Sequence, residues 1–220
     1  MCSGWTRTST WTSPRCRRTG SRRPLLVLGI DPGTAITGFG VVRRDGASHL
    51  SLVECGVLRT QPRDPLATRL REIHAGIVEL IARHQPDAVA VEDVFYAKNV
   101  RTTVVLGHAR GVILLAAEQA GVAIHEYPPA EIKKAVVGTG IATKQQVQFM
   151  VARLLRLKHA PQPVDASDGV AAALACCMAP QLPRITELVR GVAAARAAAT
   201  AATRADAATA PPRNAARRSV

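Results

Sequence analysis

The chain has 220 residues, 47% of them hydrophobic, and 29 Lys and Arg against 16 Asp and Glu give it a formal charge of +13. That length and apolar content suit one well-buried core and exclude a fibrous or wholly low-complexity chain. The longest apolar run, GVAAALACCMA at 169–179, is well short of the roughly 20 residues of a membrane span. Five Cys without CxxC or Cys/His spacing exclude a zinc finger and a disulfide framework and fit a reducing, cytoplasmic location.

Residues 1–24 carry six Arg and no acid, and residues 190–220 carry six Arg and one Asp among Ala, Thr and Pro. The ends therefore hold most of the positive excess, and the middle is close to neutral. A nucleic-acid reading based on net charge alone would rest mainly on the tails. Three segments are expected: a basic, disordered extension over 1–24, a folded domain over 25–180, and an Ala/Arg-rich low-complexity tail over 181–220. The first of these shares with transit peptides only its Arg- and Ser-rich, acid-poor composition, and a start site placed too far upstream would explain it equally well.

Inside the domain, 25–31 (LLVLGID), 36–43 (ITGFGVVR) and 50–58 (LSLVECGVL) are aliphatic runs separated by DPGT and RDGASH. Pro-Gly and Asp-Gly turns between short apolar runs predict an antiparallel meander. Apolar residues at three- and four-residue steps from Leu66 to Ile81 predict a helix over 66–84, which Pro86-Asp87 ends. DAVAVE (87–92) is then a buried strand, parallel because it follows a crossover helix. A long helix over 101–120, a short strand in GVAIHEY, and helices at 129–136, 143–158 and 165–178 complete the domain. In KQQVQFMVARLLRLK, Val147, Met150, Val151, Leu154 and Leu155 form the inward stripe. The helix over 101–120 is apolar on more than one face, with Gly107, Ala109 and Gly111 permitting close approach. It suits either a dimer element or a fully buried core helix. The predicted fold class is α/β, a mixed five-stranded sheet with three antiparallel strands followed by parallel ones, flanked by helices.

Four acids occupy informative places. Asp31 ends the first strand, where Pro32-Gly33 turns the chain; Asp is also a favoured turn-opening residue. Glu92 follows an apolar VAV run, where a buried Glu is rare unless paired or coordinated. Asp93 points the other way if the strand continues. Asp165 and Asp168 share one face at i, i+3 if the helix begins near 165, and either could serve only as a cap or dipole partner. Together, clustered carboxylates repel one another and desolvate badly, so a fold tolerates them only with a cation or shared protons. Hard oxygen ligands suit Mg²⁺ or Mn²⁺ and phosphoryl-transfer or phosphodiester chemistry.

The motifs GIDPGTAITGFGVV (29–42), VEDVFYAKN (91–99), GHARG (107–111), VVGTG (136–140) and DASDGVAAALA (165–175) resemble, in order and spacing, the RuvC family of Holliday-junction resolvases. The resemblance implies a ribonuclease-H-like fold and a Mg²⁺-dependent endonuclease with two ions per site and Mn²⁺ as a substitute. It also implies a homodimer that resolves four-way junction DNA by paired symmetrical nicks in recombination and repair, working with the RuvA–RuvB branch-migration complex. By position, Asp31, Glu92, Asp165 and Asp168 match the family's metal-binding catalytic residues. Lys133 and Lys144 match its basic residues near the scissile phosphates, and Lys134 is the weaker candidate for the first of these. Phe95 matches an aromatic that stacks on junction bases. Gly169, Val170 and Tyr96 depart from the usual pattern, and Gly169 is expected to weaken its helix by up to about 1 kcal/mol. Competing readings are another nuclease of this fold acting on RNA or other branched DNA, an actin-like or sugar-kinase-like ATPase, and a non-catalytic DNA-binding module. The six His share no motif with one another, and none is assigned to catalysis.

Overall fold

The computed structural model describes residues 24–46, 48–93 and 100–179. Five strands, β1 (Leu25–Asp31), β2 (Ile36–Asp45), β3 (His49–Arg59), β4 (Ala88–Glu92) and β5 (Ala123–Tyr127), form one sheet in the order β3-β2-β1-β4-β5. β1, β2 and β3 pair antiparallel, with a register shift at Val41/Val42, and β1–β4 and β4–β5 pair parallel. The mixed sheet expected from the turn chemistry and the crossover helix is present.

Five helices cover it: α1 (Leu66–His84), α2 (Val100–Gln119), α3 (Pro129–Val137), α4 (Lys144–Leu154) and α5 (Val164–Met178). Side chains alternate across a strand, so each strand feeds two cores. Leu28, Ile30, Val41, Val89 and Val91 meet Ile73, Ile77 and Leu80 of α1 and Ala109, Ile113 and Ala117 of α2. Val27, Val42, Ala88 and Ala90 face the other way, toward α3, α4 and α5.

α5 is buried from Gly169 through Cys177 on every side, which is why its sequence is apolar all round. It lies against β1 and β2 over a trench made by two cross-strand pairs, Gly29–Gly40 and Asp31–Gly38. A Cβ on Gly40 would come 2.6 Å from the Val170 Cα, and one on Gly169 would come 2.6 Å from the Phe39 Cα. Gly169, expected from propensity to be a weakness, is what lets the helix backbone touch the strand. Its contact with β2 offsets the lost helix propensity.

α4 ends earlier than the periodicity suggested, at Leu154 rather than 158. Arg156 takes a left-handed conformation with φ 54, and the Leu157 N–H reaches back to the Ala152 carbonyl at 2.8 Å, closing the helix without a glycine. Val147, Val151 and Leu155 are buried as expected, whereas Phe149 stands 63% exposed on the outer face.

α2 is long and apolar enough, by length and composition, to cross a bilayer, although Arg101, Arg110 and Glu118 interrupt its apolar run. One side of it packs through Ala109, Ile113, Ala116 and Ala117, so it is not the fully buried core helix weighed above. Val104 and Leu115 on its other side are about half exposed, and Gly107 and Gly111 face open space.

Candidate functional site

Asp31 and Glu92 each lie one residue beyond Ile30 and Val91, the last registered pair of the parallel strands β1 and β4. Counting alternate positions back from each gives Gly29 and Val27, and Ala90 and Ala88. Both acids therefore lie on the face covered by α5. Gly38, the cross-strand partner of Asp31, has no side chain, and a Cβ there would come 2.5 Å from the Asp165 carbonyl carbon. The glycine opposite Asp31 thus makes room for the start of the helix that carries Asp165 and Asp168. Behind Asp31, the buried Thr37 hydroxyl donates to the Gly33 carbonyl at 2.6 Å and ties down the turn that follows β1.

α5 begins at Val164 after Pro163, with no side-chain cap. Asp165 is therefore an acid of the first turn rather than the cap, and Asp168 stands one turn further in, on the same side. Carboxylate oxygens of Asp31, Asp165 and Asp168 lie within 4.8 Å of one another. Glu92 is outside that tight trio. It lines, with Asp31 and Asp168, a cleft of about 220 Å³ whose other walls are Pro129, Ile132, Lys133, Lys144, Val147 and Ala171. Asp165 closes the trio from outside that lining.

Electrostatics register the crowding. Burial, then repulsion from Glu92 and Asp168, pushes the Asp31 carboxyl up to about 8. Burial, then Asp168, pushes Glu92 up to about 7, with Lys144 and Lys133 pulling the other way. Such values mean that the cleft without a cation holds protons that a cation would displace. The donor set consists entirely of hard carboxylate oxygens and so suits Mg²⁺ or Mn²⁺.

The two lysines reach the site from different helices. Thr143 and Gln146 form a reciprocal capping box at the start of α4, which puts Lys144 at its first position. A cation is misplaced at a helix N-terminus, and here Asp168 compensates, accepting from Lys144 Nζ at 3.0 Å. That bond holds the Lys144 ammonium above its ordinary pKa. Lys133 is half-buried in the cleft wall on α3, and its neighbour Lys134 is exposed, so Lys133 is the better placed of the two. Phe95 lies outside the described residues.

Sequence reasoning missed the apolar walls Pro129, Ile132, Val147 and Ala171, which read only as helix faces. It also assigned nothing to Arg110 of the GHARG motif. The Arg110 guanidinium pairs with Glu126 and, at 3.3 Å, with Asp93. Asp93 does point away from Glu92, toward α2.

Residues 27–177 match the family model described as crossover junction endodeoxyribonuclease RuvC. The chain is 48% identical over 150 residues to the RuvC of Pelotomaculum thermopropionicum, spanning 68% of this chain and 91% of that one. With the RuvC of Protochlamydia amoebophila it shares 49% over 159 residues, 72% and 92% of the two chains. Among solved structures, Thermus thermophilus RuvC in complex with Holliday junction substrate matches with a TM-score of 0.67 at 39% identity, covering 70% of this chain and 93% of that one. The yeast mitochondrial Holliday junction resolvase, at 14% identity and a TM-score of 0.52 over 68% of this chain and 77% of its own, shares the ribonuclease-H-like fold. A family match across the whole described domain, with its motifs at the ends of β1 and β4 and the start of α5, means that the chain belongs to the crossover junction endodeoxyribonuclease RuvC family.

Proposed function

We propose that this protein is a structure-selective endonuclease that resolves four-way DNA junctions by paired symmetrical nicks in recombination and repair, with Asp31, Glu92, Asp165 and Asp168 as its metal-binding catalytic residues. The observation that carries the reading is the meeting of three carboxylates, within 4.8 Å, beside a fourth at the end of the neighbouring parallel strand. Four acids so placed repel a polyanion unless cations intervene, and two Mg²⁺, with Mn²⁺ as a substitute, suit the donor set. When bound, such ions supply Lewis-acid stabilisation of charge on the phosphodiester and favour ionisation of an attacking water.

The chain's own residues do the rest. Lys144 and Lys133 bring positive charge to the cleft rim, where the phosphate backbone must enter. Lys144, 69% exposed and bound to Asp168, is free to exchange that carboxylate for a phosphate oxygen. Pro129, Ile132, Val147 and Ala171 wall the cleft with apolar groups, which strengthens electrostatic interactions inside it. Phe95, just beyond β4 in sequence, is assigned to stacking on unpaired junction bases.

A four-way junction needs two nicks on strands of like polarity, and a two-fold dimer offers two sites related by the substrate's own symmetry. The half-exposed Val104 and Leu115 side of α2, with its open Gly107 and Gly111, is the dimer surface in this reading. Residues 25–180 form the nuclease domain, flanked by tails over 1–24 and 181–220. The enzyme is cytoplasmic and works alongside RuvA–RuvB.

The test is cleavage of a synthetic mobile four-way junction with and without Mg²⁺, with linear duplex and RNA·DNA hybrid as competitors. The reading expects Mg²⁺-dependent paired nicks in the junction alone, and expects Asp168→Asn to bind the junction without cutting it. Preferential cutting of the hybrid would instead make this a nuclease for RNA, and full cutting by the Asp168 variant would remove the metal-site assignment.

A further inference from the structure

GHARG is a motif for which the proposed chemistry has no use, and its arginine lies on the far face of the sheet from the acids. On β4, Val89, Val91 and Asp93 alternate toward α2, opposite in sense to Ala88, Ala90 and Glu92. On β5, Ile124 faces α2, and Glu126, two residues on, takes the same side. Arg110, on α2, joins Asp93 and Glu126 through one terminal guanidinium nitrogen. Its buried Nε has no hydrogen-bond partner among the described residues. The Asp93 N–H donates to the Tyr127 carbonyl at 2.9 Å, which continues the β4–β5 ladder by one step. The ends of two neighbouring parallel strands are thus fastened to one helix at the residue following Glu92.

We propose that Arg110 is a positioning residue that holds the C-terminal end of β4 so that Glu92 is presented to the acid trio. Glu92 stands outside the tight group formed by Asp31, Asp165 and Asp168, so its part in a shared cation site depends on where the strand end is held. Asp31 has its own support: it is in register with Gly38 of β2, and the Thr37 hydroxyl ties down the turn that follows it. The other three acids lie on β1 and α5, away from the clamp. The inference rests on the four-acid reading of the site.

Charge and geometry act in opposite directions here, which makes the proposal testable. Removing a positive charge near a cation site strengthens cation binding. Loosening an outer partner of a ligand weakens it, by roughly tenfold or more. Arg110→Met keeps the aliphatic stem and loses the clamp, and Arg110→Gln is the second variant should the first fold poorly. Calorimetric titration of the full chain with Mn²⁺, without DNA, is expected to show roughly tenfold weaker binding. The Mg²⁺ requirement for half-maximal junction nicking should rise by a similar factor, and Arg110→Lys should recover much of the loss.

A merely structural role would lower the melting temperature in EDTA and leave the cation affinity of the folded fraction unchanged. In a Glu92→Gln background the Arg110 change should have no further effect on Mn²⁺ affinity. Unchanged or tighter Mn²⁺ binding by the charge-removing variants overturns the proposal, as does a full tenfold loss on top of Glu92→Gln. If Glu92→Gln alone binds Mn²⁺ like the wild type, the four-acid site falls and this role falls with it, a result distinct from the first two.

Discussion

Replacing Asp31 by Asn should make the metal-free protein more stable while abolishing its cleavage. The Asp31 carboxyl is held at about 8 in the folded protein, against an ordinary aspartate value of 3.8. Between those two values the folded chain retains a proton that the unfolded chain has released. Stability contributed by this group therefore falls as pH rises from about 4 to about 8. Each unit of difference is worth about 1.4 kcal/mol, which sets a ceiling of about 6 kcal/mol. Counterions and movement of Lys144 relieve much of this, leaving roughly 1–3 kcal/mol as the expected cost to the wild type.

Asn has nearly the shape of the protonated acid and nothing to ionise. In EDTA, the melting temperature of Asp31→Asn should match the wild type near pH 4 and exceed it by about 3–10 °C at pH 8. Adding Mg²⁺ at about 10 mM should raise the wild type, because a ligand bound only by the folded state stabilises it, and should close or reverse the gap. The assay is thermal unfolding across pH, with EDTA and with Mg²⁺. A gap that is the same at pH 5 and pH 8, or a variant no more stable than the wild type at pH 8, would refute the view that burial and crowded carboxylates strain this site.

Other substitutions probe the supporting parts. Gly169→Ala gains about 1 kcal/mol of helix propensity but forces a Cβ to within 2.6 Å of the Phe39 Cα. Backbone cannot yield there, so overpacking of about 1–3 kcal/mol should prevail, lowering the urea midpoint and, by displacing α5, the nicking rate. Lys144→Gln breaks an ion pair whose lysine is largely exposed. Its stability should change by less than about 1 kcal/mol, while single-turnover cleavage slows and gel-shift affinity for the junction changes little. Removing residues 1–24, with their six Arg, should leave the cleavage rate intact and weaken junction binding mainly at low salt, as titration at several ionic strengths would show.

The parts of this molecule that could be read in advance are those where one residue type has one physical use. Glu92, an acid ending an apolar strand, has few structural uses, whereas Asp31 alone could open a turn and Asp165 and Asp168 alone could cap a helix, so it is the four together that mark the site. Asp31, Glu92, Asp165 and Asp168 are accordingly brought to one end of the sheet. Parallel and antiparallel pairing followed from Asp-Gly turns and a crossover helix. What stayed hidden depends on partners distant in sequence. Gly169 looked like a flaw because helix propensity counts neighbours along the chain, whereas its reason lies in Phe39, on a strand 130 residues earlier. The end of α4 was misplaced because LLRLK continues the apolar period and Arg156 turns the chain without a glycine. Arg110 is the clearest case. An arginine in the middle of an apolar helix gives no sign of which carboxylates it will meet, and Asp93 and Glu126 become its neighbours only once β4 and β5 pair in register. The site is thus built from acids that composition and spacing can mark, held by contacts that exist only in the folded sheet. Variants at those contacts are where sequence-based expectation and measured behaviour should diverge most.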